Sequence, residues 1–167
     1  TLDITLSDRT LTVKTTVTAT TGSRVPLCFG FHPYLQLPGV PRAQWRIETP
    51  AMRYQPVNAW GIPTGRVESR PAASEVLGDK FIDDGYDEVA DGSVFALSGG
   101  DRRIEVHFDE GYTAAQVFAP GDDDVVWVGA DGLVRTDGTR TVAVVVTSPS
   151  GVKHGVAEQL TSRSPWS

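Results

Sequence analysis

A single cysteine, Cys28, in 167 residues rules out an internal disulfide framework and leaves the chain compatible with a reducing compartment. Cations are scarce as well: 15 Lys and Arg stand against 21 Asp and Glu, for a formal charge of −6 and an isoelectric point near 5.0. Nucleic-acid grooves and anionic membrane surfaces need clustered Lys and Arg, so neither is an expected partner. No apolar run approaches the ~20 residues of a membrane helix, and the first residues lack a basic segment followed by an apolar one. The cytoplasm is the default location. The chain holds 3 histidines, with no zinc spacing, no phosphate-cradling glycine loop and no Ser/His/Asp order that can be placed, so neither a metal nor a cofactor is expected. The aspartates at 122–124 do not change this, because consecutive side chains on an extended segment diverge.

What the chain does have is enough apolar content for a core, 40% hydrophobic against 22% charged, broken by 17 Gly and 11 Pro. Leu2, Ile4 and Leu6 alternate with polar residues, and after Ser7-Asp8-Arg9 the alternation resumes from Leu11 to Ala19, which predicts two strands and a tight turn. A polar turn at 20–24 leads to a third, apolar strand from Val25 to Phe31. Prolines punctuate Pro38 to Pro71, where Trp45–Glu48 and Met52–Tyr54 are short strand candidates among ordered loops. Ser74 to Gly78 is expected to make at most one helical turn. Lys80 to Glu88 carries four carboxylates and reads as a solvated acidic loop, to which Asp87 and Glu88 belong. Val94–Leu97 and Ile104–Phe108 form a hairpin pattern around Ser98-Gly99-Gly100-Asp101, with Arg103, Glu105 and the surface residue His107 on its wet face. Thr113–Ala119 and Val125–Val128 add two strands. Eight or more short strands and no amphipathic helix predict an all-β antiparallel sandwich.

The stretch with chemical content is Leu27 to Leu37, where His32 interrupts an aromatic run. Pro33 biases His32 toward extended backbone, and period-two alternation then sends His32 and Tyr34 to one side of a strand. On the residues alone, a histidine there is either a satisfied core group or a proton donor.

The segment Phe29-Gly30-Phe31-His32-Pro33-Tyr34-Leu35 resembles the His-Pro-Tyr motif of the aldose 1-epimerase (galactose mutarotase) family. Ile62-Pro63-Thr64-Gly65, physically a proline-entered turn closed by glycine, is similar to that family's Leu-Pro-Thr-Gly turn. Ile82-Asp83-Asp84-Gly85-Tyr86 is similar to its Leu-Asp-His-X-Phe segment, with Asp84 departing where the family often has histidine. The resemblance runs from Thr1 to about Val128. It implies the galactose mutarotase-like antiparallel supersandwich, incomplete at the N-terminus, where the family carries an arginine and a second histidine that contact the sugar. It also implies a cofactor-free interconversion of the α and β anomers of a free aldohexose, with His32 as general acid and His32, Tyr34 and Asp83 binding substrate. A histidine suits that role, since its proton affinity lies near neutrality.

The family's base is a glutamate in Glu-Pro-Met after a short apolar strand, whereas here Val125-Val126-Trp127-Val128 is followed by Gly129-Ala130-Asp131-Gly132. Asp131 is a poor substitute, one methylene shorter and displaced by two residues. The chain therefore divides into a mutarotase-like part, residues 1–128, and an atypical tail, residues 129–167, in which only Val142–Val146 resembles a strand. Codons for Val-Gly-Ala-Asp-Gly can be written GTC GGA GCC GAT GGC, and removing one G yields Val-Glu-Pro-Met directly after Trp127, so the tail is either a loop, a final strand and a disordered terminus or out-of-frame translation. Three readings remain: an impaired aldose 1-epimerase, a non-catalytic carbohydrate-binding sandwich, and a β-sandwich interaction module if His32 is sealed in the core.

Overall fold

In the computed structural model the described residues are 1–19, 25–121, 126–136 and 139–147. The expectations for the turn at 20–24, the aspartates at 122–124 and the terminus beyond 147 lie outside them. Strands β1 (Leu2–Ser7) and β2 (Thr10–Thr18) turn at Asp8, whose φ of 52° is a left-handed conformation that aspartate tolerates in tight hairpins. β3 (Val25–Phe31) and the short β4 (Tyr34–Leu35) follow, then a 3-10 turn at Arg42–Gln44, β5 (Arg46–Thr49), β6 (Met52–Tyr54), β7 (Glu68–Arg70) and β8 (Ala73–Val76). The remainder is β9 (Ile82–Asp87), β10 (Ser93–Gly99), β11 (Arg102–Glu110), β12 (Ala114–Ala119), β13 (Val126–Thr136) and β14 (Thr139–Thr147).

These strands build two antiparallel seven-stranded sheets. The first runs β1-β2-β14-β11-β10-β5-β8; the second runs β3-β13-β12-β9-β6-β7, with β4 also paired to β13. Strict alternation on β11 and β12 turns Ile104, Val106 and Phe108 of one sheet and Ala115, Val117 and Ala119 of the other into a shared core. Rings cross that core in sequence: Phe95 to Phe108 at 4.9 Å, Phe108 to Tyr112 at 5.9 Å, Tyr112 to Phe29 at 6.3 Å and Phe29 to Phe31 at 6.0 Å. With Phe29 and Phe31 committed to the core, alternation sends Gly30 and His32 to the opposite face of β3.

Three expectations are corrected. Ala73–Val76 is an edge strand rather than a helical turn, because Arg46 to Thr49 of β5 offers it a free ladder. The acidic stretch is mostly strand β9 rather than loop: Ile82 and Tyr86 pack against the core while Asp83 and Asp87 alternate away from it. Residues 129–136, which lack strand periodicity, continue β13 because Val25 to Phe31 pairs along them, so the ladder overrides side-chain pattern. The hairpin pattern of β10 and β11 is as expected, and His107 sits on its outer face against Glu105 at 3.0 Å.

β1 is an edge strand whose Leu2 and Ile4 are about half exposed and whose Leu6 is 75% exposed. Unguarded apolar edges pair with other chains. The protein is expected to associate with rising concentration in sedimentation velocity, and Leu6→Lys to weaken that association; a strictly concentration-independent monomer would contradict it.

Candidate functional site

The pairing registers assemble the candidate residues on the outer face of the second sheet. Phe31 pairs with Ala130 and Tyr34 with Trp127, so the same offset sets His32 opposite Gly129. Gly129 pairs with Gln116, Gln116 with Gly85, and the Gln55 amide donates to the Gly85 carbonyl at 2.9 Å. One row therefore reads His32, Gly129, Gln116, Gly85, Gln55. The neighbouring row reads Tyr34, Trp127, Phe118, Asp83, and the row on the other side ends in Ala114, Asp87 and Arg53. Directly opposed residues of an antiparallel pair share a face, so each row is a line of neighbours about 5 Å apart.

His32 and Tyr34 meet edge to face with ring centroids 5.7 Å apart; His32 is half-buried and Tyr34 is 39% exposed. His32 is thus not sealed in the core. Asp83 lies on the same face three strand spacings from Tyr34, or about 14 Å. Its Oδ1 accepts a hydrogen bond from Gln116 Nε2 at 2.6 Å. Gly85 makes room for that amide, because a Cβ there would stand 3.1 Å from Gln116 Oε1. Asp84 points the other way, taking the Tyr86 hydroxyl at 3.2 Å, and burial followed by the Asp84 charge pushes the Tyr86 phenol up. Asp83 rather than Asp84 is therefore the carboxylate presented on this face.

Beyond Gly85 the face is closed by ion pairs. Arg53 Nε and Nη2 donate to Asp87 Oδ1 and Oδ2 at 2.8 and 2.9 Å, and Gln55 Nε2 adds a bond to Oδ2 at 2.5 Å. Hydrogen bonding from Arg53 holds the Asp87 carboxyl below its usual range, as Arg103 does for Glu48 and Glu105 on the other sheet. Groups depressed in the folded state stabilise it above their unfolded values of 3.8 and 4.5 and lose that contribution as pH falls through the folded ones. Thermal midpoints should therefore hold from pH 7 to about 5 and decline below pH ~4. Arg103→Leu should shrink the acid step, and an unchanged step would refute the assignment.

Of the residues singled out from sequence, the sheet brings His32 beside Tyr34 and puts Asp83 on their face. Gln116 joins them, and its sequence signal is a lone amide alternating with the buried Ala115 and Val117 on an apolar strand. A cavity of about 300 Å³ lies elsewhere, between β6 and β7 beside Arg53, Ser69 and Arg70, and none of His32, Tyr34 or Asp83 lines it. Among the described residues no group of three or more His, Cys, Asp or Glu could hold a metal ion, and no helix is long and apolar enough to cross a membrane.

A family model described as aldose 1-epimerase matches residues 1–144. Among solved structures, a galactose mutarotase-like protein from Clostridium acetobutylicum shares the fold at a TM-score of 0.71 and 14% identity, covering 88% of this chain and 54% of its own. A galactose mutarotase related enzyme from Lactobacillus acidophilus aligns at a TM-score of 0.76 and 11% identity over 96% of this chain and 62% of its own. A GalM/aldose epimerase homologue from C. elegans gives 0.58 and 10% over 88% and 68%. The chain thus spans less than two thirds of the length of the first two. No curated protein matches it.

Proposed function

Because this chain belongs to the aldose 1-epimerase family across residues 1–144, we propose that its outer face binds a free aldohexose and carries the acid half of anomer interconversion. In this reading His32 donates a proton to the ring oxygen as the bond from C1 to that oxygen breaks, while a base takes the proton of the C1 hydroxyl. The open-chain aldehyde rotates about C1–C2 and closes on its other face, returning both protons. Tyr34 buttresses the imidazole, and Asp83 with Gln116 holds hydroxyls. Acidic net charge and the lone Cys28 favour a small neutral substrate and a cytoplasmic setting.

The observation that carries the reading is the row His32, Gly129, Gln116. A glutamate following Val128, as the family resemblance implies, would occupy position 129, one strand spacing from His32 and beside Gln116. With glycine there the base is missing, and the chain is impaired. Residues 129–167 are either a true tail or the product of a shifted frame, and the family match through residue 144 favours the former for their first part; codons 128–132 of the gene decide this, since they either yield Glu-Pro-Met in the adjacent frame or do not. The same glycine favours a second reading, a carbohydrate-binding domain that does no chemistry.

Both readings require sugar binding. In saturation-transfer NMR with glucose and galactose, the chain should bind at least one of them, and Asp83→Asn should weaken that binding about tenfold, the loss of a hydrogen bond to a charged acceptor. Equal binding by the variant would remove Asp83 from the site, and no binding of either sugar would overturn both readings.

A further inference from the structure

The Thr16 amide donates to the Thr1 carbonyl at 2.8 Å and the Thr1 nitrogen to the Thr16 carbonyl at 2.6 Å, so Thr1 and Thr16 are a hydrogen-bonded pair. In an antiparallel ladder such pairs alternate with non-bonded ones. Asp3, Thr5 and Ser7 therefore direct their backbone groups to Lys14, Thr12 and Thr10, while Leu2, Ile4 and Leu6 aim their N–H and C=O groups away from β2. No described strand pairs with that side of β1. It carries no proline, no bulge and no lysine, the usual guards of a sheet edge. The same three residues are its apolar ones. Ladder registers carry the row of Ile4 and Val13 on through β14 to Phe108, and the row of Leu6 and Leu11 to Val106, so they lie on the face that elsewhere packs against the second sheet. Val106 and Phe108 are buried there, whereas Ile4 and Leu6 are not, so the core face runs out past its cover.

Few registers can join two such edges. The outward N–H and C=O groups and the apolar side chains both belong to even-numbered residues, so even residues must meet even ones. Setting Ile4 opposite Ile4 of a second copy puts Leu2 opposite Leu6 and Leu6 opposite Leu2, which completes six backbone hydrogen bonds, two for each pair. Sliding one copy by two residues leaves four. Charge agrees with the centred register: Asp3 meets Thr5 of the other copy, whereas the slide that pairs Leu2 with Ile4 sets Asp3 against Asp3. We propose that β1 is a self-complementary docking edge for a second copy of this chain, with the two-fold axis at Ile4 and the two first sheets fused into one. A six-residue edge is small beside the ~1,200 Å² of a stable interface, so the dimer is weak and concentration-dependent. The proposal is independent of the sugar site on the other sheet.

Sedimentation velocity of the full chain over a range of concentrations tests this, with Thr5→Lys and Ile4→Pro beside it. The parent should show a reversible monomer–dimer equilibrium. Thr5→Lys places a cation opposite Asp3 of the other copy, twice per dimer, and should tighten association about three- to tenfold. In the register that pairs Ile4 with Leu6, the two lysines would instead face each other and loosen it. Ile4→Pro removes an N–H that β2 does not use, so it should abolish the dimer and leave the far-UV spectrum unchanged. In a Cys28→Ser background, Ile4→Cys should give a disulfide-linked dimer on mild oxidation, because a bonded pair brings Cα atoms to about 5.5 Å, within disulfide reach. A monomer at every concentration, growth beyond the dimer, an association that Thr5→Lys loosens or that survives Ile4→Pro, or an Ile4→Cys chain that does not cross-link overturns the proposal.

Discussion

Gly129→Glu is expected to raise the rate of anomer exchange by ~10²–10⁴-fold over the parent chain, the usual contribution of a positioned general base. The parent itself should relax fresh α-glucose or α-galactose no faster than the buffer blank. Position 129 is in the extended backbone of β13, which any residue adopts, and it pairs with Gln116 on one side while facing His32 on the other. A carboxylate there would lie within reach of the C1 hydroxyl of a sugar whose ring oxygen meets His32. Polarimetry measures the gain, and adding His32→Asn to the glutamate variant should return the rate to baseline. A parent chain well above the blank would point instead to Asp131, whose register partners are Gly30 and Ala114. A glutamate variant that folds and binds sugar but gains nothing would sink the assignment of position 129.

Phe108→Ala should cost about 3–5 kcal/mol of folding free energy, the range for deleting a buried ring. Phe108 is fully buried and is the shared member of two ring contacts, with Phe95 and with Tyr112. Through Tyr112 it reaches Phe29 on β3, the strand that ends immediately before His32. Urea denaturation followed by tryptophan fluorescence would give the value, and a loss under about 1 kcal/mol would show that the core collapses around the gap. The same variant should loosen the His32 end of the sheet before the Asp83 end.

Alternation alone revealed β11 and β12, because each buries every second residue and packing against the facing sheet enforces that pattern. It also aligned His32 with Tyr34, two residues apart. Alternation could not reveal which strands become neighbours: the row joining His32, Gly129, Gln116 and Gly85 crosses from the junction of β3 and β4 to β13, β12 and β9. Gln116 was missed for that reason, since its meaning comes from Asp83 across a ladder. β8 was missed because all four of its residues are exposed, so no burial stamped a pattern on Ala73–Val76. The continuation of β13 has a further cause, backbone pairing with β3 that glycine and alanine satisfy as well as valine does.

β14 lies between β2 and β11, with Thr139–Thr147 paired residue for residue to Thr10–Thr18. That contact spans most of the chain, and contacts of such range slow folding, because the loop must close before the pairing rewards it. During synthesis at ~5–20 residues per second, β1 and β2 emerge on the order of ten seconds before the strand that seats them. A two-stranded hairpin is marginal by itself in water, and this one exposes Leu2, Ile4 and Leu6 throughout the wait. Yield of folded protein should therefore depend on what shields that hairpin on the ribosome, more than on the final stability of the sandwich.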